Sequence, residues 1–126
     1  MDTNISPGLR ITFLAHFIVA LIFGLAFLLL PGQTGSLYGM QIPQADIYRL
    51  LGAALLGYAA SSWLCYQESN WESVRIVVFT EILWTLLGTL VMLNALLLSG
   101  FPALGWINAL IFAAFCAAFS WFYFRR

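Results

Sequence analysis

An all-helical polytopic membrane protein, built as an antiparallel four-helix transmembrane bundle, is the fold class this chain predicts, and three observations predict it. Of its 126 residues 63% are hydrophobic and only 8% are charged, where soluble domains carry about a quarter. The mean hydropathy is +0.94. The apolar residues fall into four stretches, 11–30, 47–66, 74–98 and 101–124, each matching the roughly 20 residues a helix needs to cross a hydrocarbon core. The whole chain is then one transmembrane domain. Short connections leave no space for a catalytic ectodomain, and no basic cluster suits nucleic acid.

The first stretch exceeds the apolar core of a signal peptide, about 7–15 residues, and ends in Leu28-Leu29-Leu30-Pro31-Gly32 without a small-residue cleavage pattern. It reads as a retained helix, with Ser6 as N-cap and Pro7 at the first helical position. Residues 31–46 form the first loop, 67–73 a tight connection between the second and third helices, and Ser99-Gly100 a turn into the fourth. Short connections make neighbouring helices antiparallel.

Positive charge sets orientation, because Lys and Arg in short loops stay on the cytoplasmic side. Arg10, Arg75, Arg125 and Arg126 share one side and Arg49 stands alone on the other. The expectation is a plasma (inner) membrane protein with both termini cytoplasmic. Trp63, Tyr66, Trp71, Trp121 and Tyr123 would mark the inner boundary, and Tyr38, Tyr48 and Trp106 the outer one.

Helices in lipid associate by close backbone approach at small residues. The fourth stretch carries Gly105, Ala109, Ala113 and Ala117 at four-residue spacing, the second Ala53, Gly57 and Ser61, and the first Ala20 and Gly24. Packing seams within one bundle are the expected use. The seam on the fourth helix is long enough to join a second copy or another membrane subunit as well.

Glu81 is the single acidic residue inside an apolar stretch, and such groups face a partner or a cavity. Counting at about 1.5 Å per residue from Arg75, it lies roughly 9 Å along its helix, and His16 lies equally far from Arg10. Ser61, Ser62 and Ser120 reach a similar depth. A buried polar layer of His16, Glu81, Ser61, Ser62 and Ser120 is therefore expected, serving as a proton or cation site or as hydrogen-bonded glue that fixes helix register. A Glu81 that reaches back to the near interface or to Arg75 is the remaining reading. Asn94 and Asn108 form an outer polar pair on adjacent helices, where cross-hairpin amides usually act as glue. Asn94 is turned roughly 220° from Glu81 at about 100° per residue, which argues against one continuous polar channel. Asp46 and Arg49 make a local ion pair or a lipid-phosphate contact at the outer interface.

No catalytic signature is present. The chain has one His, two widely separated Cys and no Gly-rich phosphate loop, so neither metal spacing nor paired-His haem ligation is available within it. Its eleven Phe and five Trp residues suit lipid or core contacts and also a groove for a lipid, quinone or carotenoid. The residues Leu29-Leu30-Pro31, Leu37-Tyr38-Gly39-Met40, Arg49-Leu50-Leu51-Gly52-Ala53-Ala54-Leu55-Leu56-Gly57 and Trp63 resemble the pattern of small four-helix bacterial membrane proteins of the DoxX-like kind, over about the first half of the chain. That resemblance implies an accessory subunit of a membrane complex of the quinol oxidase or thiosulfate:quinone oxidoreductase type. Three functions follow in order: an accessory or structural subunit or homo-oligomer, not an enzyme, binding membrane partners or lipid-like molecules; a minimal proton-coupled transporter using Glu81; and a lipid- or quinone-linked membrane enzyme. The small exporters that depend on one intramembrane Glu carry it on their first helix, whereas Glu81 is on the third.

Overall fold

Ser6 opens the first helix: its side chain accepts a hydrogen bond from Leu9 N, and Pro7 follows at the first turn, where a missing N–H costs nothing. The computed structural model describes residues 3–41 and 44–126. In it α1 runs Pro7–Leu29, α2 Pro31–Leu37, α3 Ala45–Gln67, α4 Trp71–Leu98 and α5 Gly105–Phe124. The long helices begin or end a few residues from the apolar limits, because polar caps such as Ser6 and Asn70 extend them past the hydrophobic run.

Helix α2 corrects the loop expected at 31–46. Pro31 supplies its first turn, and Gly39, at φ 69°, ends it in the left-handed region. There Met40 N donates to Gly35 O and Gly39 N to Ser36 O, both at 3.0 Å, the two bonds of a Schellman stop. Ile42 and Pro43 of that loop lie outside the described residues. A second correction concerns the last helix, which starts at Gly105 rather than 101. Residues 102–104 form a turn that precedes it, closed by Gly105 N donating to Pro102 O at 2.9 Å.

Three helices, α1, α4 and α5, are long and apolar enough to cross a membrane, not the four expected. Helix α3 has the length, at 23 residues, but Asp46, Tyr48, Arg49, Tyr58, Ser61 and Ser62 dilute its apolar character.

The helices assemble as two close pairs, α1 along α3 and α4 along α5, with sparser contact between the pairs. The α1–α3 approach depends on Gly52, where an added Cβ would stand 2.5 Å from Leu28 N and 2.7 Å from Gly24 O. Only glycine lets two backbones come that near. The pairs join at one end through a core of Leu9, Phe13, Val74, Val78 and Phe119, all fully buried. At this end, the base, Ile5 N donates to Ser69 O and Trp71 N to Thr3 O, and the Arg126 guanidinium reaches Asn4 O. Both termini and the α3–α4 turn therefore share the base. Four arginines cluster there: Arg10 donates to Glu68 O, Arg75 pairs with Glu72, Arg125 lies over Trp121 and Arg126 over Trp71.

Candidate functional site: a closed polar cluster beneath an apolar cavity

His16 of α1, Ser62 of α3 and Glu81 of α4 meet just above the base core, each buried. His16 Nδ1 lies 2.8 Å from Ser62 Oγ, and His16 Nε2 lies 3.2 Å from Glu81 Oε2. Ser62 Oγ donates to Glu81 Oε1 at 3.5 Å, closing a ring of three side chains. The direction of the 2.8 Å bond follows the imidazole tautomer, and the 3.2 Å approach sets a titratable ring nitrogen beside a carboxyl oxygen. The alignment across this gap is poor, and Oε2 has no hydrogen-bond partner among the described residues. Edge-on contacts from Phe115 at 4.9 Å and Phe119 at 5.7 Å fix the imidazole plane.

The other residues expected in this layer are placed differently. Ser61 is half-buried and donates to Tyr58 O within its own helix, at 2.9 Å, while Ser120 is half-buried on α5 and takes no part in the ring of hydrogen bonds. Thr85, not anticipated as part of it, is buried one turn beyond Glu81 and donates to Glu81 O at 2.6 Å.

Above the cluster the two helix pairs leave a cavity of about 490 Å³, within the roughly 300–1,000 Å³ of small-molecule sites. One face of α1 lines it, through His16, Val19, Ala20, Phe23 and Phe27, opposite Trp84, Gly88, Phe112 and Phe115. Its top is formed by Tyr38 and Met40, which α2 and its Schellman stop set in place, with Asn108. The Tyr38 hydroxyl donates to Asn108 Oδ1 at 2.6 Å. Burial pushes the Tyr38 phenol above its usual range and the Asn108 bond opposes that in part, so the phenol stays a neutral donor.

Asn108 is thus paired, but with Tyr38 rather than with Asn94, which is exposed. The partner escaped the sequence because Tyr38 reads as a belt aromatic; the proline and glycine that bracket α2 were the available signal. Asp46 and Arg49 form their ion pair at 3.0 Å, fully in the open. The small residues divide: Ala20, Gly24, Gly105 and Ala109 are buried, while Ala53, Gly57, Ala113 and Ala117 are exposed. A seam at strict four-residue spacing drifts around a helix of 3.6 residues per turn, so the run on α5 leaves the interior after Ala109. Cys65 is buried and Cys116 half-buried, both as free thiols. Among the described residues no three His, Cys, Asp or Glu side chains group as a metal site would need.

No protein-family model, no curated protein and no solved structure matches this chain.

Proposed function

We propose that this chain is a small integral membrane protein that holds a lipid-like molecule in the cavity between its two helix pairs. The observation that carries the reading is the cavity itself, lined almost wholly by apolar side chains and floored by His16. In this reading α3 spans the bilayer with α1, α4 and α5, Ser62 turned into the bundle and the exposed Asp46–Arg49 pair at its outer end. The base faces the cytoplasm of a plasma membrane, since four of the five arginines gather there. The DoxX-like pattern of the first half supports a place beside other membrane subunits.

The arrangement favours binding over hydrolysis. Ser, His and Glu are within reach of one another, yet Ser62 and Glu81 are fully buried and only His16 of the three lines the cavity, so no nucleophile is presented to a bound molecule. A proton-coupled transporter remains the second reading, because Glu81 Oε2 is buried without a hydrogen-bond partner one residue behind the cavity floor. Native mass spectrometry of the detergent-solubilised protein tests the first: a bound hydrophobic molecule should copurify and be lost in Ala20→Phe, which fills the cavity, with helicity unchanged. Equal loads in the two proteins would overturn it. Glu81→Gln protein that retained pH-dependent flux in vesicles would remove the second.

A further inference from the structure

The two ends of the cavity differ in what they offer a guest. At the floor the polar atoms face away from the cavity: His16 Nδ1 is bonded to Ser62, Nε2 lies 3.2 Å from the buried Glu81 carboxyl, and the Thr85 hydroxyl donates to the Glu81 carbonyl. What remains facing the cavity there is ring edge and methyl. At the top, Asn108 gives its oxygen to Tyr38 and keeps its amide N–H groups, beside a Tyr38 oxygen still able to accept. No Lys, Arg, Asp or Glu is among the described residues that line the cavity. A charged head placed inside would lose its water with no counter-charge, a cost of several kcal/mol even after relaxation.

We infer that the cavity takes a single-chain amphiphile with a small uncharged head, hydroxyl or carbonyl, bound head-up against Asn108 and Tyr38 with its chain running down to His16. Phospholipids, ionised fatty acids and alkylammonium ions are excluded by the charge of their heads. This inference rests on the cavity's being a lipid site, as proposed above, and names the class of its occupant.

The test is a competition on the full chain in detergent, with a fluorescent long-chain alcohol as probe and displacing compounds of matched chain length: a fatty alcohol, a monoacylglycerol, a fatty acid, a phosphatidylglycerol and an alkyltrimethylammonium ion. The neutral compounds should displace the probe at concentrations at least about tenfold below the charged ones, a difference of about 1.4 kcal/mol. The fatty acid should close that gap as pH is lowered and its carboxyl is neutralised, while the alkyltrimethylammonium ion should not. Asn108→Leu should abolish the preference for alcohol over the alkane of equal length while the chain still binds; Tyr38→Phe, a gentler change, should weaken it. Charged and neutral compounds displacing equally would overturn the inference and leave the lipid site standing. Failure of the probe itself to bind, with nothing copurifying, would remove the site and the inference together.

Discussion

The floor and the top of the cavity both pair polar side chains across helices, yet one is sealed and the other is not. At the floor His16, Ser62 and Glu81 come from three helices and satisfy one another almost completely, at 0–4% exposure. At the top Tyr38 and Asn108 share one hydrogen bond and leave donors over. The difference lies in how each is held. The floor sits on a packed core of Phe13, Val78 and Phe119, whereas the top depends on a seven-residue helix, α2, and its turn. A sealed polar cluster fixes helix register; an unsealed one recognises something. Buried polar networks are costly when half-satisfied, so the two ends should answer mutation in opposite ways, the floor through stability and the top through binding.

The largest effect is expected at the floor. Glu81→Gln and His16→Gln each strand a partner in an apolar interior and should lower stability by about 1–3 kcal/mol. The double variant should be less destabilised than the sum of the two by about 0.5–3 kcal/mol, the coupling of residues in contact. Additive losses in reversible unfolding in mild detergent would show that the 3.2 Å approach carries no energy, and the contrast between the ends would go with it. Binding of a neutral amphiphile by the folded fraction should not change.

A comparable loss should follow from Gly52→Ala, which separates α1 from α3 beside the upper half of the cavity. The atoms its Cβ would meet, Leu28 N and Gly24 O, are backbone and cannot swing aside, so overpacking of about 1–3 kcal/mol is expected. If thermal unfolding of this variant matches the parent, the close pairing of α1 and α3 does not set the cavity's width.

Much of this was legible in the chain, and what was not has a common physical cause. The helical class, the Ser6 cap and the depth shared by His16 and Glu81 follow from local rules: apolar run length, capping chemistry and rise per residue. Ser62 rather than Ser61 joins them because adjacent residues on a helix point about 100° apart, and depth alone does not say which one faces inward. Length alone gives four crossing helices and apolarity three, because a stretch counted by length tolerates in α3 the Arg49, Tyr58 and two serines that mean hydropathy does not. The cavity was invisible, since it arises where two helix pairs diverge, and divergence belongs to no single residue. Tyr38 and Asn108 lie 70 positions apart, and nothing local announces such a contact.

At the top, Tyr38→Phe removes one hydroxyl from a half-open site. Stability should fall by about 0.5–1.5 kcal/mol, the net worth of a neutral hydrogen bond. The effect on amphiphile affinity should exceed it, which equilibrium unfolding with and without added long-chain alcohol would read. Equal losses in both conditions would make the top as purely structural as the floor.

The smallest effect, and one of opposite sign, is expected on the outer faces of α3 and α5. A Cβ at Gly57 would meet nothing within 4 Å, and replacing glycine inside a helix by alanine removes backbone entropy from the unfolded chain, so Gly57→Ala should stabilise by about 0.5–1 kcal/mol. Ala113→Leu, on the exposed side of α5, should leave the isolated chain within about 0.5 kcal/mol of its parent, as surface substitutions do. Both measurements sharpen the contrast between Gly52 and the rest of the small-residue positions, since the same kind of change is costly where backbones touch and harmless where they do not. They also read what covers these faces in the membrane. Should Gly57→Ala or Ala113→Leu destabilise the protein, or shift its size in detergent, the altered face packs against a neighbouring chain, and the accessory-subunit reading gains the surface it requires.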